Sequence, residues 1–433
     1  MSERIPSKSP VTAPRARLAA AIRRAAVATL LSSLTALAAC AEAPSGIVLD
    51  VYKYREQTFE RVVERCNAEA DGRYTIVLHV LPRDADGQRE QLVRRLAARD
   101  DAMDILGLDV TWTAEFAEAG WILEWTGDDL RAAREGVLPG PLATTTWEGR
   151  TYAATANTNV QLLWYRTDLV PEPPATWDGM IAVAEDLRAA GEPHVIAFTG
   201  AQYEGLVVGF NTLLASYGGR LVSEDGATAV VDERTVRALE MLRRFATSAG
   251  ASAALSNARE AEAQAQMESG FAAFELNWPY VWAAMRQNNP EMAEHFAFAR
   301  YPSVVPGQPA RVTPGGLNYA VSAYSRHPDE AREAILCLRD AESQEFLALN
   351  AGTPPSIEAL YGDPELRETY PMLDVIRDEL ENAVPRPKTP FYQNISTIVA
   401  AALSPPAEIE PREVAEELRR QVQAALESRG VLP

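Results

Sequence analysis

The 433-residue sequence contains no His-Glu-x-x-His, no Gly-x-Ser-x-Gly and no glycine-rich phosphate loop. The usual signatures of zinc proteases, serine hydrolases and nucleotide-binding enzymes are therefore missing. Basic residues are not in excess either. The 41 Lys and Arg face 60 Asp and Glu, a net charge of -19, and such a body repels nucleic acid and anionic membrane surfaces. Cysteine is scarce, with three in the whole chain. Long disorder is also not indicated, because 47% hydrophobic and 23% charged residues is an ordinary globular composition.

The amino-terminal segment is unlike the rest. Arg15, Arg17, Arg23 and Arg24 precede residues 25–39, which are almost wholly small or apolar. This is the n-region and h-region of a signal peptide, too short to span a bilayer. It ends in Leu37-Ala38-Ala39-Cys40, which resembles the bacterial lipobox. That likeness implies cleavage before Cys40 and acylation of its thiol; the alternative is a plain secreted protein with an incidental cysteine. Two or three acyl chains, at ~0.8 kcal/mol per buried methylene, hold a protein stably on a membrane. Losing residues 1–39 removes six basic groups and one acidic group, leaving 35 against 59 and a net -24. Attachment is then expected only through lipid or a partner.

A chain of this length exceeds what one hydrophobic core fills, so two lobes are expected. A strand from Ile47 to Tyr52 precedes a helix with Phe59, Val62, Val63 and Cys66 on one face. The alternating strand Tyr74 to Leu81, the helix Gln88 to Ala98 and the strand Met103 to Val110 follow. Such alternation predicts a parallel α/β sheet, whose ligands gather beyond the carboxyl ends of the strands. Asp109, with Trp112 after it, stands at one such end as a ligand contact or a helix cap. Two extended segments, Arg150 to Ala154 and Val160 to Tyr165, flank Asn157-Thr158-Asn159, either a turn or a ligand edge. An Asn amide both donates and accepts, so it can hold two neighbouring hydroxyls.

The stretch Gly270 to Trp282 reads as a buried strand, Phe271 to Leu276, broken by Asn277. Pro279 then suits the first turn of a helix carrying Tyr280 and Trp282. An apolar ring beside polar groups is what a pyranose needs, with its C–H face and its edge of hydroxyls. Trp278, Trp282 and Met285 also fit a core stripe, the favoured reading for Trp282. Glu260 lies in a helix rich in Ala, Glu and Gln, where most charge is a solvated face. Pro314-Gly315-Gly316-Leu317-Asn318 is a tight turn feeding a strand, and one helix is expected from Pro328 to Ala348. Pro385-Arg386-Pro387 holds an arginine stiffly, although a surface arginine is the commoner case. With Cys40 assigned to lipid, Cys66 and Cys337 remain, and an exported protein favours pairing them over two free thiols.

Leu108-Asp109-Val110, the run Trp112 to Trp121, Leu138 to Thr144, Gln161 to Tyr165 and Pro314 to Asn318 together resemble the carbohydrate class (family 1) of ABC-importer solute-binding proteins. Within it they are most similar to the LpqY-type mycobacterial trehalose-binding lipoproteins. The resemblance covers the mature chain. It implies an α/β, two-lobed periplasmic-binding-protein-like fold (type II, maltose-binding-protein-like), with the ligand cleft between lobes. By motif, Asp109, Asn159, Glu260, Trp278, Gly316 and Arg386 fall at the sugar contacts of that class. The implied organisation is a signal peptide at 1–39, a lipidated tether at 40–46, one lobe from 47–155 with 313–360, and another from 156–312 with 361–433. The implied partners are trehalose or a related disaccharide, the permease subunits of an ABC transporter, and the extracytoplasmic face of the cell membrane through lipid on Cys40. No cofactor, metal or catalytic residue is expected. The rival from another class is a glycoside hydrolase, which would need two carboxyls ~5 to 9 Å apart across the scissile bond.

Overall fold

The computed structural model describes residues 46–429. The expected signal peptide and the lipidation site Cys40 lie outside the described residues. Eleven strands are present among the described residues: β1 (Ile47–Tyr54), β2 (Tyr74–Leu81), β3 (Ile105–Asp109), β4 (Thr146–Trp147), β5 (Arg150–Thr151), β6 (Ala154–Thr155), β7 (Leu162–Arg166), β8 (Val195–Ala197), β9 (Ala272–Asn277), β10 (Phe296–Ala299) and β11 (Leu317–Val321). They form two main sheets, ordered β2-β1-β3-β11-β6 and β10-β7-β9-β8, and the small hairpin β4-β5.

The first sheet begins as the alternation predicts. Phe59, Val62, Val63 and Cys66 of the helix Phe59–Glu69 are all buried, and β3 runs parallel to β1. The sheet is nevertheless mixed, since β11 is antiparallel to both β3 and β6. Its chain returns from the second sheet through the Pro314–Gly316 turn, enters beside the end of β3, with Leu317 opposite Asp109, and must run backwards. The two segments around Asn157-Thr158-Asn159 are not a pair. β6 belongs to the first sheet and β7 to the second, so the polar triplet carries the chain from one sheet to the other.

The second sheet is buried more completely. Every residue of β9 is buried, and Trp164 of β7 stacks on Phe296 at 5.3 Å between centroids, with Trp282 at 6.4 Å. Trp282 is thus half-buried and packs against the core, as favoured. The helix expected from Pro328 to Ala348 is two helices, Pro328–Leu338 and Ala341–Ala351. The break is chemical, because the Asp340 side chain accepts from Ser343 N and caps the second helix, a bond available only at a helix start.

Cys66 and Cys337 are bridged, with Cα atoms 5.9 Å apart and 271 positions between them. The bond ties the first helix to one near residue 337, with Arg65 bound to Cys337 O (3.1 Å) and Asp340 (2.8 Å) beside it. Closing so long a loop restricts the unfolded chain, so reduction is expected to lower stability by about 2–4 kcal/mol. Thermal unfolding with and without reductant, with Cys66→Ala/Cys337→Ala as reference, checks this; an unchanged Tm would refute it.

Candidate functional site

Asp109 ends β3, and its carboxylate does not cap the helix Thr113–Glu118. Its Oδ1 instead accepts from Thr111 N at 3.0 Å and Thr111 Oγ1 at 2.7 Å, while the helix itself starts at Trp112 without a side-chain cap. The same Oδ1 lies 3.4 Å from Arg386 Nη2.

Arg386 is 5% exposed, so its Pro-flanked position is internal and not the common surface case. Nη1 pairs with the Glu204 carboxylate, and Nη2 reaches Pro314 O at 3.4 Å. Glu204 also accepts from Tyr392 Oη at 2.6 Å and from Ser396 Oγ. Burial opposes the guanidinium charge, but the Asp109 carboxylate, Tyr392 and Glu204 outweigh it and hold the group above its ordinary pKa. Arg386 is therefore a fixed cation under an Asp109 carboxylate that stays partly open to solvent.

Pro314 leads into Gly315 and Gly316, where space is decisive. A Cβ on Gly315 would lie 2.9 Å from the Trp278 indole and 3.5 Å from Asn159 Cβ. Gly316 has φ +126, and a Cβ there would lie 2.9 Å from Asn157 O and Thr158 Cα. Only glycine fits both constraints. Asn159 and Gly315 exchange backbone hydrogen bonds at 3.1 and 2.8 Å, whereas Asn159 Oδ1 is buried with no partner. Asn157 spends its Oδ1 on Leu317 N at 2.8 Å, a bond that holds the turn.

Trp278 is held from below. Its N–H donates to Asn277 Oδ1 at 2.8 Å, while Asn277 Nδ2 donates to Glu260 O at 3.1 Å and to Glu275 Oε1 at 2.7 Å. One buried amide thus fixes the stacking candidate and the start of the helix Glu260–Glu268. The Glu260 carboxylate faces the Tyr203 hydroxyl and the Trp278 indole, and burial raises its pKa against the pull of those donors. It is not on a merely solvated face. Tyr203 Oη, buried beside it, has no well-formed hydrogen bond.

Five of the six candidates therefore form a closed circuit with Gly315, and Gly316 holds the turn beside it. Asp109 touches Arg386, Arg386 touches Pro314 and Glu204, Gly315 touches Trp278 and Asn159, and Trp278 touches Glu260. Glu260 returns through Tyr203 to its chain neighbour Glu204. Asn159 Oδ1, Tyr203 Oη and Arg386 Nε are buried without partners, which suits a polyhydroxylated ligand that both donates and accepts. Sequence reasoning missed Glu204, Tyr203, Tyr392, Ser396 and Asn277. A carboxylate opening the apolar run Gly205–Phe210 is the one signal that pointed to Glu204 as an internal acid. No group of His, Cys, Asp and Glu among the described residues could hold a metal ion.

A family of bacterial extracellular solute-binding proteins matches residues 53–345. A probable ABC transporter-binding protein of Deinococcus radiodurans is 29% identical over 343 residues, covering 76% of this chain and 81% of its own. Among solved structures, maltose-bound MalE3 of T. maritima superposes with a TM-score of 0.80 at 25% identity, covering 87% of this chain and 99% of that one. The acarbose-binding GacH receptor of Streptomyces glaucescens gives 0.77 at 20% identity, over 89% and 100% of the two chains. The two-lobed, maltose-binding-protein-like fold is shared with both. The match covers most of the chain, and its members bind solutes instead of transforming them: this protein belongs to the bacterial extracellular solute-binding protein family.

Proposed function

We propose that this protein captures a disaccharide, trehalose, at the Asp109–Arg386–Trp278–Glu260 circuit and delivers it to the permease of an ABC importer. The observation that carries the reading is the Trp278 indole, lying against Gly315 beside Asn159 and facing the Glu260 carboxylate. A glucose ring stacks on such a face while its hydroxyls pair with the rim. In this reading the lobes are 47–155 with 313–360 and 156–312 with 361–433, and lipid on Cys40 anchors the chain to the extracytoplasmic face of the membrane. Maltose is the second reading, favoured by the maltose-bound T. maritima relative.

Calorimetry with trehalose, maltose, sucrose and glucose tests the choice. Trehalose is expected to bind tightest, because a cleft fitted to its 1,1-linkage leaves donors and acceptors unmatched with maltose. Trp278→Ala and Glu260→Ala are each expected to weaken binding by about 1–3 kcal/mol, through lost stacking and an unpaired hydroxyl. Tighter maltose binding would select the second reading, and glucose released from trehalose would replace both with a hydrolase.

A further inference from the structure

Next to this circuit lies a cavity of about 330 Å3 that shares Arg386 and Pro314 with it. Its walls include Val110, Ala114, Pro141, Leu380, Ala383 and Pro387. Most of the polar groups that line it already hold protein partners. Thr111 Oγ1 donates to Asp109 at 2.7 Å, Thr144 Oγ1 donates to Pro141 O at 2.7 Å, and Thr113 Oγ1 accepts from Asn318 at 3.3 Å. Lys388 Nζ donates to Ala143 O and Thr146 Oγ1, both at 2.9 Å, and Arg386 already faces two carboxylates. Its walls are mostly apolar and most of its polar groups already hold protein partners, so a hydrocarbon entering this space covers apolar surface and displaces water without stranding a polar group. The mouth is open at Ala143, Pro385 and Lys388, all exposed, so the end of a longer chain can leave.

We propose that the preferred ligand is an acylated or alkylated disaccharide, its sugar on the Trp278 circuit and its hydrocarbon chain in this cavity past Arg386. The inference rests on the sugar-capture reading above. Calorimetry would compare trehalose with 6-O-hexanoyl-trehalose, and maltose with hexyl maltoside, below micellar concentrations. Each buried methylene gives roughly a fourfold gain, so three give about 60-fold. Ala383→Phe and Ala143→Phe, which fill the cavity from two separate segments of its lining, should abolish that gain and leave the parent sugar unchanged. A chain-bearing sugar that binds no tighter than its parent, or a gain that survives both substitutions, overturns the inference and leaves sugar capture standing. Failure of all four compounds overturns the sugar reading itself.

Discussion

Arg386→Met is expected to destabilise the protein by about 3–5 kcal/mol, because it leaves a buried carboxylate without its cation. Glu204 is 7% exposed, and Tyr392 and Ser396 are neutral donors that cannot replace the charge. Glu204→Gln in the Arg386→Met background should recover part of the loss, since an amide in that place needs no counter-charge. A double-mutant cycle read by thermal unfolding isolates the coupling. Additive effects of the two substitutions would mean that the pair contributes nothing of its own. Sugar binding should fall further than stability explains, because Arg386 also lies against Asp109 and Pro314.

The second large effect concerns pH. Glu275 is fully buried in β9, and burial pushes its carboxyl up to about 8 against the donation from Asn277. A carboxyl raised in the folded state binds its proton there more tightly than in the unfolded chain. Its stabilisation is thus complete below the ordinary value near 4.5 and is lost as pH rises toward 8. The loss amounts to roughly 4 kcal/mol at pH 8. Glu275→Gln keeps an acceptor for Asn277 and removes the titration. The variant and wild type should therefore unfold alike near pH 4, with the variant pulling ahead by pH 8. Parallel curves across that range would show that Glu275 is charged in the fold. The comparison must be between the two proteins, since burial also raises Glu379, to about 7, and adds its own slope to both.

Local chemistry was legible wherever neighbours in sequence carried it. The strand and helix alternation of residues 47–110, the core of the buried strand over Ala272–Leu276 and the Pro314–Gly316 turn rest on spacing and backbone preference and survive into the fold, although Phe271 is exposed and Asn277 ends the strand as a paired member. The family motifs also picked out Asp109, Asn159, Glu260, Trp278 and Arg386, which the fold places in one circuit, and Gly316 in the turn beside it. What could not be read was set by pairing over long distances. The direction of β11 depends on where the chain re-enters the first sheet, and the single helix expected over 328–348 breaks because Asp340 finds a cap. Glu260 and Arg386 look like surface charges in sequence, since burial is a property of what packs over a residue and not of the residue itself. Glu204 stands 182 positions from Arg386, and no local pattern relates them. The sequence by itself determined the α/β elements, the acidic exported character and the aromatic–polar stretch around Trp278, because each is a property of adjacent residues. Only the tertiary structure decided which charges are buried together, which amides hold Trp278 and Glu260 in place, and where an apolar cavity adjoins them, because each depends on segments that meet only when both sheets are assembled.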